Sequence, residues 1–436
     1  HLPPTAIGSS LYKLFKALGY NVVGINHLGD YGTQFGKMIV AFKLWGDKTT
    51  VEQKGVAELQ RLYVKFHQEE AENPDLTEQA RHWFVKIEQG DKEALQLFEF
   101  FKKITLDDVK RIYKRLHVTF DSWNGESFFN DKMQKPLEML REKGLITESQ
   151  GAKIVDLSAY GMPPCLLVKC DGSSLYATRD IAAAIWRKQE YDFYKCLYVV
   201  AYQQNLHFKQ FFKVLELAGF PWAKDLVHVA YGMVSLEDGA MSTRKGNVVL
   251  LKDVLDKAVE KALEIITAKN PNLADKETVA EQVGVGAVLF SALENSKIKD
   301  ITFTFDRVLN FDGETAPYLQ YTCARCNSIL EKAGMSRLVK IAHDNSALDN
   351  PETLRLCKLI ASFPQAVKDA AYKYEPSILS GLLIDIAQAF NKFYMEHRVI
   401  CDDLSRQNAR LRVVQVTATT LKKGLSLLGI AAPEKM

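Results

Sequence analysis

Four short stretches of this chain gather side chains able to hold charged or phosphorylated groups. The first is Asn26-His27-Leu28-Gly29-Asp30-Tyr31-Gly32-Thr33-Gln34-Phe35-Gly36, where three glycines keep the backbone close to hydrogen-bonding groups; a polar turn is the plain alternative. In the second, Asp171 to Asp180, Tyr176 and Asp180 stand four apart at a helix start and share a face. A carboxylate there can take a guanidinium through two hydrogen bonds, or it can merely complement the helix dipole. The third, Tyr202-Gln203-Gln204-Asn205-Leu206-His207-Phe208, supplies neutral donors and acceptors, although Asn205 alone reads equally as a helix cap. The fourth, Met241-Ser242-Thr243-Arg244-Lys245-Gly246-Asn247, combines hydroxyls, cations and a glycine. That is equipment for a triphosphate and for charge developing during in-line attack, or else an ordinary solvated turn. No Gly-x-x-x-x-Gly-Lys-Ser/Thr occurs, which disfavours a P-loop ATPase.

These stretches need elements to place them. Pro4 to Gly19 carries a helical apolar stripe with proline at its start and glycine at its end. Asn21 to Asn26 follows as a buried strand, so the chain opens like a βαβ unit that lacks its first strand. Residues 36–145 are charged, glycine-poor and helix-periodic, a helical insertion. Strands are expected at Lys153 to Leu157, Cys165 to Cys170, Cys196 to Ala201 and Val227 to Gly232, with helices at Thr178 to Gln189 and His207 to Gly219. The alternation predicts an α/β fold with a doubly wound parallel, Rossmann-like sheet, whose ligands bind beyond the carboxyl ends of the strands. Helices dominate after residue 250, interrupted by an extended link around Lys299 to Asp312. The division is therefore 1–250 for the catalytic sheet with its insertion, 251–310 for a helical connection, and 311–436 for an all-α domain.

Composition narrows the class further. The chain has 436 residues, 47% hydrophobic and 25% charged, and no apolar run approaches a membrane span. Its 56 Lys and Arg against 53 Asp and Glu give +3, too little for a polybasic coat, with the excess concentrated after Phe311. The scattered cysteines fit a reducing compartment. Cys323-x-x-Cys326 has the spacing of half a zinc site but no second pair of ligands, so two ordinary thiols and no metal are expected.

Together and in this order, Asn-His-Leu-Gly-Asp-x-Gly-Thr-Gln-Phe-Gly, Tyr-Ala-Thr-Arg-Asp and Met-Ser-Thr-Arg-Lys-Gly resemble the bacterial type of arginyl-tRNA synthetase, a class I aminoacyl-tRNA synthetase. Phe311 to Tyr321 and the ending Leu-Gly-Ile-Ala-Ala-Pro-Glu-Lys-Met extend the resemblance along the whole chain. It implies an arginine–tRNA ligase that activates L-arginine with ATP to arginyl-adenylate and transfers it to the 3′ end of tRNA(Arg). Tyr176, Asp180 and Gln204 would line the arginine pocket, with His1 beside them and Asp180 on the guanidinium. His1, His207, the backbone at Met233 and Val234, and the loop residues Met241, Ser242, Thr243, Arg244 and Lys245 would serve ATP. Asn26, His27, Gly29, Asp30 and Gln34 belong to the family's own loop. The all-α region resembles the anticodon-binding domain, with Tyr321, Arg325 and Ser328 toward tRNA and Arg325 as its phosphate contact. ATP with Mg2+ enters as substrate, no tightly bound cofactor is implied, and the enzyme is expected to be a cytoplasmic monomer without a membrane partner.

The chain departs from the family pattern in places. Of the HIGH motif only the last His remains, as His1, and Pro3-Pro4 replaces Arg-Ser/Thr; Ala240 stands for the first Lys of the KMSKS loop, and Tyr31 for the usual Trp. On the sequence alone the chain therefore reads as a fragment or damaged copy with little activity. The competing expectation is a catalytically inactive tRNA-binding remnant.

Overall fold

The computed structural model describes residues 2–170, 175–236, 250–334 and 345–436. Helix α1 (Leu2–Ala17) buries Ile7, Leu11 and Leu14, the stripe its periodicity implies. The strand expected at residues 21–26 does not form. Gly24 and Asn26 exchange hydrogen bonds with Asp121 and Ser122, leaving one parallel bridge between Ile25 and Ser122. A β-branched run becomes a ladder only where a neighbour takes its backbone groups along its length. Among the described residues this one meets a neighbour at one point.

The insertion is helical as read: α2 (Thr33–Trp45), α3 (Lys48–Lys54), α4 (Val56–Glu72), α5 (Asp75–Glu88), α6 (Lys92–Arg115) and α7 (Gln134–Glu142). Asp47 and Asp91 cap α3 and α6 through the backbone N–H of Thr50 and Ala94. Ile39, Leu62, Phe66, Phe98 and Phe101 form the insertion's own core. Gly36 lets α2 and α5 meet backbone to backbone, since a Cβ there would stand 1.9 Å from the Ala80 carbonyl oxygen.

Strands β1 (Thr147–Ser149), β2 (Ala152–Val155) and β3 (Cys165–Val168) follow, and they pair antiparallel. The expected parallel arrangement does not extend to β2 and β3. The link from Asp156 to Pro164 is shorter than the roughly 12 residues a parallel crossover needs. The parallel pattern holds farther on. After α8 (Tyr176–Tyr191), strand β4 (Cys196–Ala201) pairs in parallel with β5 (Leu226–Tyr231) through the crossover helix α9 (Asn205–Leu217), with Cys196 opposite Leu226 and Ala201 opposite Tyr231. Strand β6 (Val234–Leu236) precedes α10 (Leu251–Lys269) and α11 (Lys276–Ser291), and pairs in parallel with β7 (Ile301–Phe303). The expected extended link is thus only three residues long, because Thr304 accepts the Arg307 N–H and starts α12 (Phe305–Val308).

The last third is α13 (Ala316–Lys332), α14 (Pro351–Tyr372), α15 (Ser377–Glu396) and α16 (Leu404–Leu427). Its core, with Leu319, Leu383, Phe390 and Leu421, is continuous with Leu11 and Leu14 of α1 and Val283 of α11. A second core under β2 and β3 joins Val155 and Leu167 to Ile181 of α8 and Phe211 of α9. Cys323 and Cys326 are buried in the helical core, where desolvation pushes the Cys323 thiol up to about 12. All seven cysteines are free, and no helix among the described residues is long and apolar enough to cross a membrane.

Candidate active site

The start of α8 is pinned to the carboxyl end of β3. Leu175 N–H and Thr178 Oγ1 both donate to the Leu167 carbonyl, at 3.0 and 2.7 Å. Tyr176 and Asp180 consequently open one turn apart onto a cleft of about 1260 Å³. Across it β4 ends in the turn Tyr202–Gln204, which sets Gln204 at the N-cap of α9 and His207 in its first turn. His207 Nε2 lies 2.6 Å from Asp180 Oδ2, while Asp180 Oδ1 makes no hydrogen bond with any described residue. Tyr176, Asp180, Gln204 and His207, read separately from two stretches, therefore line one cleft. One carboxylate oxygen is held, and among the described residues the other is left to a cationic N–H.

The glycine-rich loop forms the facing wall. Asn26, His27 and Gly29 line the cleft, and Asn26 Nδ2 donates to the Tyr113 hydroxyl at 3.3 Å. Asp30 does not join them. It is buried and accepts from Ser127 N–H at 2.9 Å, from Ser127 Oγ at 2.7 Å and from Lys102 at 2.9 Å. Burial alone would raise its pKa, but these donors together hold the carboxyl below its usual range. Gln34 sits in the first turn of α2, with Nε2 on the Tyr31 carbonyl at 2.9 Å. Asp30 and Gln34 thus brace the loop from behind.

Two groups missed in the sequence complete the wall. Glu126 donates its N–H to the Leu28 carbonyl at 2.9 Å, and its carboxylate accepts from Arg179 Nη1 at 3.1 Å. Desolvation pushes Glu126 up to about 7, with Arg179 opposing and Asp180 and Asp30 reinforcing the rise. Arg179 lies over the Tyr31 ring at 4.6 Å, so the residue standing for the usual Trp still supplies an aromatic face. The other is Arg187, two turns beyond Asp180 on α8, whose helical spacing places it on the same stripe. Glu126, distant in sequence, carried no comparable signal.

The nucleotide and RNA candidates lie elsewhere. Met233 N–H donates to Asp300 Oδ1 at 2.6 Å and its carbonyl accepts from Ile301 at 2.8 Å. Val234 begins β6 opposite Ile301, and neither residue lines the cleft. His1 and the loop Met241, Ser242, Thr243, Arg244 and Lys245 lie outside the described residues. Tyr321, Arg325 and Ser328 share one face of α13 by spacing. Arg325 Nη1 donates to Asn391 Oδ1 at 2.7 Å, and its guanidinium lies over the Tyr321 and Tyr394 rings at 4.8 and 5.7 Å. Among the described residues no group of three His, Cys, Asp or Glu is placed to hold a metal ion.

Residues 1–305 match the family "tRNA synthetases class I (R), catalytic domain", and residues 319–436 match the "DALR anticodon binding domain". The chain is 52% identical over 436 residues to an arginine–tRNA ligase of Clostridioides difficile and 53% identical over 437 residues to one of Alkaliphilus metalliredigens, covering all of this chain and 77% of each relative. The solved arginyl-tRNA synthetase of Thermus thermophilus superposes with a TM-score of 0.85 at 27% identity, over 100% of this chain and 79% of that one.

Proposed function

The chain belongs to the class I arginyl-tRNA synthetases, and from that premise we propose that Tyr176, Asp180 and Gln204 form its arginine pocket. The activity is that of an arginine–tRNA ligase. Identity near one half along the whole chain supports the catalyst and lends nothing to an inactive remnant. In the first step an oxygen of the arginine carboxylate attacks the α-phosphorus of ATP, the bond to pyrophosphate breaks, and arginyl-adenylate forms. In the second, a hydroxyl at the 3′ end of tRNA(Arg) attacks the arginyl carbonyl and AMP leaves.

One observation carries the pocket: Asp180 lines the cleft with Oδ2 held by His207, and among the described residues nothing hydrogen-bonds Oδ1. A guanidinium donating there would have the Tyr176 ring and the Gln204 amide beside it, and His207 fixes the carboxylate's rotation. Preset geometry of this kind lowers the cost of ordering the ligand. By the family's pattern His1 adds to the pocket and the ATP site. The loop from Met241 to Lys245 clamps the phosphates, where its cations meet charge appearing in the transition state, and Met233 and Val234 flank adenine. ATP enters with its Mg2+ as a substrate, and no resident cofactor is needed. Tyr321, Arg325 and Ser328 face tRNA from the solvent-accessible side of α13, whose other side is buried in the anticodon domain. We assign the chain to the cytoplasm as a monomer, a placement that its free thiols favour. The division at residues 250 and 311 is kept as our reading.

Asp180→Asn tests the pocket, because it preserves shape and removes the charge-assisted pair. Truncating one side of a desolvated charged pair costs about 2–5 kcal/mol, so calorimetry should show arginine binding weakened by tens-fold or more with ATP binding unchanged. Arginine affinity equal to wild type would remove Asp180 from the pocket.

A further inference from the structure

Arg187 is 5% exposed, and among the described residues no carboxylate lies within ion-pairing distance of it. Buried guanidinium groups are ordinarily paired, so its actual partners are informative. Its ring neighbours are Phe129 and Tyr198, at 5.8 and 5.5 Å. Its Nη2 lies 3.1 Å from His27 Nδ1, although the two residues are 160 positions apart in sequence. Phe129, fully buried, also packs at 6.0 Å from the His27 ring. The imidazole is thus held at its Nδ1 edge and along one face, while the residue remains exposed toward the cleft.

The hydrogen-bond inventory decides which proton the ring carries. A guanidinium is always a donor and never an acceptor. Nδ1 therefore accepts, and the neutral ring bears its proton on Nε2. The Asn124 carbonyl, 3.4 Å from the same Nδ1, favours the opposite tautomer, but the charge-assisted contact is shorter and stronger. Nε2 makes no hydrogen bond with any described residue, so its N–H is left for whatever enters the cleft. The charged groups facing the ring are Arg187 and Asp180 from α8 and Asp30 from its own loop. Desolvation of the ring's packed side, then Arg187, hold the imidazole below its usual range, with Asp180, the Asn124 carbonyl and Asp30 opposing.

We propose that Arg187 is a positioning residue for the ligase reaction: it fixes His27 as the Nε2–H tautomer, so that the loop presents an oriented donor to an acceptor oxygen of the bound substrate. This rests on the reading of the cleft as the substrate site. Arg187 itself acts through His27, from two turns below Asp180.

The test reads the tautomer directly. In the full chain with 15N-labelled histidine, assigned by comparison with His27→Gln, wild-type His27 should show an unprotonated Nδ1 and a protonated Nε2 at pH 8. Arg187→Met should shift the ring toward the Nδ1–H form on the Asn124 carbonyl and raise its titration midpoint. It should also lower kcat/KM for arginine in tRNA-supported pyrophosphate–ATP exchange by about tenfold, as expected for one oriented hydrogen bond. Arg187→Lys, which keeps a donor, should retain the tautomer and recover most of the rate. A protonated Nδ1 in the wild type overturns the proposal. So does a tautomer unchanged in Arg187→Met, or an unchanged rate once the tautomer has moved. If Arg187→Met does not fold, the wild-type and Arg187→Lys spectra still decide. Unchanged arginine affinity in Asp180→Asn, with the expected His27 tautomer, would instead defeat the pocket reading alone.

Discussion

Arg179 reaches back from the helix that carries Asp180 to pair with Glu126 at 3.1 Å, tying the arginine-side helix to the end of the insertion. Despite that partner, burial pushes Glu126 up to about 7, so it titrates near neutral pH. A carboxyl whose folded pKa exceeds its unfolded one binds more protons in the native state, and its contribution to stability falls as pH rises between the two values. Unfolding free energy measured by urea denaturation should therefore decline from about pH 4.5 to about 7. Glu126→Gln should flatten that slope. An unchanged slope would mean that Glu126 ionises normally.

His207 anchors one oxygen of Asp180 without, in our reading, touching the guanidinium. His207→Ala should weaken arginine binding by roughly three- to tenfold, the worth of one modest hydrogen bond, and so less than Asp180→Asn does. Calorimetry on both variants ranks them. A larger loss for His207→Ala would place its ring in direct contact with substrate.

The approach of α2 to α5 leaves no room for a methyl group. Gly36→Ala must drive the helices apart or distort them, at roughly 1–3 kcal/mol by analogy with overpacked cores. Denaturation should show a lower midpoint with arginine affinity near wild type. A neutral substitution would show that the two helices separate freely.

Arg325 lies between two tyrosine rings with its guanidinium steered by Asn391. As a phosphate contact, Arg325→Ala should weaken all tRNAs by similar factors and flatten the salt dependence by about one unit of slope. Filter binding across salt concentrations measures both. A change in preference among tRNAs would mean that Arg325 reads bases.

Much of this protein is visible in the order of its residues. Apolar spacing marks α1, the insertion and α8, because a helix buried on one side must repeat that side every three to four residues. The same local rule puts Tyr176 and Asp180 on one face, and the concentrations of glycine, amide and hydroxyl groups mark the loops of the site. Spacing does not report which distant groups meet. That Asp180 gives one oxygen to His207 and keeps the other, that Glu126 answers Arg179 from 53 positions away, and that Arg187 settles the proton on His27 depend on how the packed elements come together. The fate of residues 21–26 has the same origin: a strand is a pairing, and its own side chains cannot supply the partner. Local sequence determines which groups are available and on which face they stand; tertiary packing decides their partners, and with them the charge and proton state each one carries into the cleft.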